Sequence, residues 1–213
     1  MASYEELKTV IQEGNFAETQ NKVRTLLAEG KSPNEIIQMG IIETLDMVGK
    51  KFSAGECFIP EMLVAAKASQ RGLEILKPLL ARTDFKPKGK IILGTVKGDL
   101  HDIGKNIVGM MLEAAGFQVV DLGYDVLPER FIEALKREQA DILALSCLVT
   151  TTMISMKDTM DALRESGLYG KVKVMIGGPP TTDDYAKKIG ADFRGNDAYE
   201  GVKQARELLR SQQ

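Results

Sequence analysis

The chain has no tryptophan, a single histidine and only two cysteines among its 213 residues. A zinc site needs three or four protein ligands, so one histidine and two scattered cysteines exclude a conventional one. Cys57 and Cys147 lie far apart in apolar surroundings, without the paired spacing of a zinc or redox motif, and read as buried free thiols. No apolar run approaches the roughly 18 residues that a membrane span requires. The segment Met1 to Gly14 has no apolar core of a signal peptide, so the sequence predicts a cytoplasmic protein with no membrane partner. Neither sign of charge is in excess: 28 Lys and Arg against 30 Asp and Glu leave a formal net charge of −2. The signs are interspersed and form no basic stripe, which argues against nucleic acid as a partner.

What the chain does have is enough apolar material for a substantial core: 44% of residues are hydrophobic and 27% charged. Two halves with different patterns meet near Phe85. From Ser3 to about Arg82 apolar residues recur at helical spacing, as in Leu7, Val10 and Ile11 or Ile37, Ile41 and Leu45. Gly14-Asn15 separates the first two helices, Gly30 ends the second, Ser32-Pro33 starts the third and Pro60 the fourth. Short connections of this kind give a small antiparallel bundle. The charged stretch Thr83 to Gly89 reads as a linker, and strand and helix then alternate about five times. Such alternation makes a parallel sheet covered by helices on both faces, with ligands expected beyond the carboxyl ends of the strands. The organisation is thus α plus α/β: 1–82 helical, 83–89 linker, 90–213 a doubly wound sheet.

The first strand end carries Lys97-Gly98-Asp99-Leu100-His101-Asp102-Ile103-Gly104-Lys105-Asn106, with the only histidine of the protein. Asp99, two residues earlier, can reach the same side of an extended loop, where a carboxylate fixes the imidazole tautomer and raises its basicity as a ligand. One histidine cannot hold a bare metal ion firmly, so a metal would have to arrive in its own macrocycle. A Ser/His/Asp hydrolase is disfavoured because no G-x-S-x-G elbow exists. Gly94, Gly98 and Gly104 do not have the spacing of a dinucleotide site.

Asp99-Leu100-His101-Asp102-Ile103-Gly104 resembles the D-x-H-x-x-G signature of cobalamin-binding domains. Ser146-Cys147-Leu148 resembles their S-x-L after the third strand, and Gly177-Gly178 their double glycine after the fourth. Phe52 to Glu61 (FSAGECFIPE) is similar to the F-x-x-G-x-x-F-x-P-E/Q segment of the helical cap that precedes this domain. The whole chain therefore resembles the small corrinoid proteins that serve methanol, methylamine, betaine and aryl-ether methyltransferases, a module shared with cobalamin-dependent methionine synthase. Thr150-Thr151-Thr152, Gly177 to Thr182 and Ile189 to Asp192 are most like the methylamine and betaine group, with Pro179 a departure from it.

The resemblance implies a helical-bundle cap followed by a Rossmann-like, flavodoxin-like domain that binds cobalamin or a related corrinoid (cobamide). The cofactor's own lower base leaves cobalt, and His101 takes its place as axial ligand. Asp99 and Thr152 complete a proton-linked relay with His101. Gly104, Gly177 and Gly178 make room for the nucleotide tail, Ser146 and Thr150 bind it, and Asp102, Ile103 and Leu148 belong to the same motifs. Phe58 and Met62 of the cap are candidates to shield the upper face. The implied function is a methyl carrier, without a complete active site of its own, that cycles between Co(I) and methyl-Co(III). Its implied partners are a substrate-specific methyltransferase, a second methyltransferase delivering to tetrahydrofolate or coenzyme M, and a reductive activase, with the linker as hinge for cap movement. The alternatives are a corrinoid-dependent regulator, which would need a basic reading head, and the cobalamin-binding subunit of a mutase, which would normally lack this cap.

Overall fold

The computed structural model describes residues 3–80 and 88–210. The chain separates into two compact units, 1–86 with 113–116 and 87–112 with 117–213. Residues 83–87 of the expected linker and hinge lie outside the described residues. Gly89, its expected last residue, already belongs to the sheet unit, because its carbonyl accepts the Gln118 amide at 3.0 Å.

The first unit contains α1 (Tyr4–Gln12), α2 (Phe16–Ala28), α3 (Pro33–Glu35), α4 (Glu43–Ser53) and α5 (Ile59–Leu80). The third helix starts at Ser32 as the sequence predicts, and Ser3 and Asn15 cap the first two. Ser3 Oγ accepts the Glu6 amide and Asn15 Oδ1 the Glu18 amide, each at 3.1 Å, and Ser32 and Glu35 form a reciprocal capping box. The α1–α2 turn requires Gly14, whose φ is +68° and whose Cβ, if present, would lie 1.7 Å from Val64 Cγ1. One feature departs from the simple helical pattern. Between α3 and α4, Ile36–Ile42 is a π-helical segment. Its i→i+5 geometry brings residues five apart onto one side, so Ile36, Ile37, Ile41 and Ile42 are all buried.

The second unit alternates β1 (Lys90–Thr95), α6 (Ile103–Ala114), β2 (Gln118–Asp121), α7 (Pro128–Glu138), β3 (Ile142–Ser146), a 3₁₀ turn (Thr150–Thr152), α8 (Met153–Glu165), β4 (Lys173–Gly177), α9 (Asp183–Ile189), β5 (Phe193–Gly195) and α10 (Ala198–Arg210). All strands are parallel in the order β2-β1-β3-β4-β5, the flavodoxin-like order. On one face Ile92, Leu143, Val174 and Ile176 pack with Phe131 and Met160. The other face buries Ile91, Ile142, Ala144 and Met175, which explains why the strands read as continuous apolar runs. The order reverses between β1 and β3, and at such a switch point the loops after the two strands are where an open α/β sheet places its ligands.

Candidate functional site

The β1–α6 loop and the β3–α8 loop meet at one carboxylate. Asp99 is 1% exposed. Its Oδ1 accepts the His101 amide at 3.0 Å and lies 2.7 Å from His101 Nδ1. Its Oδ2 accepts the Leu148 amide at 2.7 Å, the Val149 amide at 3.3 Å and the Thr152 hydroxyl at 3.0 Å. Burial alone would raise the carboxyl pKa. The donors from Leu148, His101 and Thr152 outweigh it and hold the group well below the ordinary carboxylate range.

An ionised carboxylate only accepts hydrogen bonds, so Nδ1 carries a proton, and in the neutral imidazole Nε2 is then the nitrogen with the free lone pair. The imidazole is 55% exposed, and among the described residues no hydrogen bond engages Nε2. The site therefore presents one basic nitrogen whose tautomer is fixed from behind, the arrangement of a metal-ligating histidine and its carboxylate partner. Leu100, Ile103 and Leu148, beside this ring in the chain or bonded to Asp99, are exposed apolar side chains. Among the described residues no group of three or more His, Cys, Asp or Glu could hold a metal ion, so the ring is not part of a bare-metal cage.

Strand register builds a second feature. Thr95, Ser146, Gly177 and Gly195 are consecutive partners across β1, β3, β4 and β5 at their carboxyl ends. Ser146, Gly177 and Gly195 are only partly buried, whereas Thr95 is buried and its hydroxyl donates to the His101 carbonyl at 3.0 Å. A Cβ at Gly104 would meet nothing within 4 Å, and one at Gly177 only the Gly195 carbonyl at 3.9 Å. Neither residue is a glycine because of the protein's own packing, as expected of a cradle for a ligand. Gly178 answers to a demand of its own: its φ is +121° and a Cβ would lie 1.8 Å from the Cys147 carbonyl oxygen. Internal backbone packing by itself already requires glycine here.

The other expected residues are distributed as follows. Thr150 is exposed at the start of the 3₁₀ turn, and that turn carries Thr152 back to Asp99. Asp102 is half-buried before α6, where its Oδ2 accepts from Asn106 Nδ2 at 3.0 Å. Lys105 is buried and pairs with Asp121 and Asn106, tying the first turn of α6 to the end of β2. In the first unit Phe58 is 69% exposed, whereas Met62 is 1% exposed and occupies a core position. Cys57 and Cys147 are buried free thiols as expected, and burial pushes both pKa values up.

Sequence reasoning missed Thr95, Gly195 and the contacts of Cys147. Only strand register reveals the first two. Cys147 Sγ lies 3.1 Å from both Thr152 Oγ1 and the Val149 carbonyl. Its place between Ser146 and Leu148 was the available signal.

The chain matches a B12 binding domain over residues 89–203 and a second B12 binding domain family over residues 3–77. It is 41% identical to dimethylamine corrinoid protein 2 of Methanosarcina acetivorans, covering 98% of this chain and 99% of that protein. Its structure is similar to a cobalamin-binding protein from Desulfitobacterium hafniense, with a TM-score of 0.83, 32% identity and coverage of 98% and 99% of the two chains. It is also similar to a chain of the methanol:cobalamin methyltransferase complex of Methanosarcina barkeri, with a TM-score of 0.86, 30% identity and coverage of 97% and 79%.

Proposed function

The chain belongs to the family of B12-binding corrinoid proteins, and from that premise we propose that it shuttles methyl groups between a substrate-specific methyltransferase and a second methyltransferase. It is a corrinoid methyl carrier with a methyltransferase partner. The observation that carries the reading is the 2.7 Å contact of Asp99 with His101 Nδ1, which leaves Nε2 as a single presented ligand atom.

When bound, the corrinoid supplies a cobalt centre that takes up and gives up a methyl group. The chain's own residues do the rest. His101 would hold cobalt through Nε2, and Asp99 keeps the proton on Nδ1. Thr152 donates to Asp99 Oδ2, so a change in its hydrogen bond alters how strongly Asp99 pulls on that proton. The open space at Gly104 and at Gly177 would admit the nucleotide tail, Ser146 and Thr150 would bind it, and Gly178 holds the β4 end in shape. Ile103 and Leu148 would exclude water from the bound cofactor, Asp102 steadies the start of α6, and Phe58 is the exposed side chain of the helical unit put forward to shield the methyl group.

A methylamine- or betaine-type donor is supported by the likeness to the dimethylamine corrinoid protein. Tetrahydrofolate or coenzyme M is the acceptor in this reading, and a reductive activase completes the partners. Among the described residues no helix is long and apolar enough to cross a membrane, and the reading places the protein in the cytoplasm. The test is to reduce the corrinoid-loaded protein and supply a methylamine with its methyltransferase. The absorption change of methyl loading should appear, and the second methyltransferase with its acceptor should reverse it. Loaded protein that accepts methyl groups from no methylamine or betaine would remove the donor assignment. Protein that takes up no corrinoid would remove the whole reading.

A further inference from the structure

Two non-glycine residues among those described have positive φ: Asp125 at 53° and Gln139 at 51°. Gln139 caps the C-terminus of α7, a usual place for left-handed backbone. Asp125 ends no helix. It stands in the β2–α7 connection, just before the bridge between Val96 and Val126. An outlier of this kind is held only where surrounding bonds determine it, and such residues gather at functional sites.

The bonds are specific. Asp125 Oδ1 accepts the Gly98 amide at 2.7 Å, and the Asp125 amide donates to the Asp99 carbonyl at 3.1 Å. One residue thus grips both ends of the Gly98-Asp99 unit, and left-handed backbone lets its side chain and its amide reach that unit together. The Asp99 side chain is held separately, its Oδ2 by Leu148, Val149 and Thr152 and its Oδ1 by the His101 amide at 3.0 Å. From outside its own loop Asp99 is therefore held by two elements, through its carbonyl by the β2–α7 connection and through Oδ2 by the β3–α8 loop, while its amide donates to the Val96 carbonyl at 3.1 Å.

We propose that Asp125 is a positioning residue for the ligand ring: by clamping the Gly98-Asp99 backbone it aims the Asp99 carboxylate at His101 Nδ1 and keeps Nε2 in the ligating tautomer. This rests on the reading of His101 as cobalt ligand. The residue type fits the task. Aspartate and asparagine tolerate left-handed φ better than other side chains and carry an acceptor, glycine tolerates φ without an acceptor, and alanine offers neither.

The single histidine makes a test possible on the corrinoid-free protein, because all imidazole resonances belong to His101. Nuclear magnetic resonance of the nitrogen-labelled wild type should show one ring, protonated at Nδ1, with a slowly exchanging Nδ1 proton and a protected Gly98 amide. Asp125→Gly keeps the backbone conformation and deletes the acceptor, so the Nδ1 proton signal should be lost and the ring should average between tautomers. Asp125→Asn should restore the signal. A ring spectrum unchanged in Asp125→Gly, or one not restored in Asp125→Asn, would overturn the proposal. So would a Gly98 amide that exchanges freely in the wild type, a measurement that needs no variant. A separate arm loads His101→Ala with corrinoid. A spectrum there identical to wild type would remove the ligand reading and leave the clamp result standing on its own.

Discussion

Thr152 Oγ1 and Asp99 Oδ2 lie 3.0 Å apart although 53 residues separate them in the chain. The hydroxyl has one proton and two acceptors within reach, since the Val149 carbonyl is 2.9 Å away. The Cys147 thiol, 3.1 Å from that carbonyl, can serve it instead and free the hydroxyl for the carboxylate.

Thr152→Val keeps the shape and removes this donor from a buried anion. Hydrogen bonds to charged groups contribute about 1.5–3 kcal/mol, and a loss of that size is the expected outcome in denaturant unfolding. Thr152→Ser should recover most of it. A valine variant as stable as wild type would show that the hydroxyl does not serve Asp99.

Stability should also depend on acid through Asp99. Burial favours its neutral form, but the surrounding donors lower its folded pKa below the unfolded value of about 3.9. A depressed folded pKa contributes stability that is fully present above the unfolded value and is lost as pH falls through it toward the folded one. Asp99→Asn should therefore be less stable than wild type near neutrality, with the gap shrinking as pH falls below about 4. Urea midpoints over that range check it, and a gap that stays constant would contradict the assignment.

The glycines should separate binding from folding. Gly104→Ala adds a methyl group to open space in a helix, so the corrinoid-free protein should be unchanged or stabilised by up to about 1 kcal/mol. Gly177→Ala should stay within about 0.5 kcal/mol of wild type. Both should retain corrinoid poorly on gel filtration. Gly178→Ala collides with the Cys147 backbone and should fail to fold stably with or without corrinoid.

The two cap candidates should part in the same way. Met62→Ala empties a buried position and should cost about 2–5 kcal/mol in thermal or denaturant unfolding. Phe58→Ala alters an exposed side chain and should change stability by less than about 0.5 kcal/mol. Its effect should appear instead as faster loss of the methyl group to water from the loaded protein.

Much of this was legible in the sequence because it is local. Ser3, Asn15 and Ser32 announce helix starts through their own side chains, and the D-x-H-x-x-G segment puts Asp99 and His101 two residues apart by itself. What stayed hidden depends on chain segments meeting. The π-helical turn at Ile36–Ile42 answers to burial of four isoleucines, which no 3.6-residue pattern encodes. Thr95 and Gly195 join Ser146 and Gly177 only through strand register, and the need for glycine at 178 comes from the Cys147 carbonyl. Asp125 looks like an ordinary turn residue until its bonds to Gly98 and Asp99 are seen.

The most direct measurement takes the protein loaded with corrinoid in the Co(II) state, grown with histidine carrying the spin-half nitrogen isotope. If His101 Nε2 is the axial ligand, each three-line nitrogen splitting in the paramagnetic resonance spectrum becomes two-line. A splitting that stays three-line, or survives in His101→Ala, would place the cofactor's own base on cobalt and contradict the account.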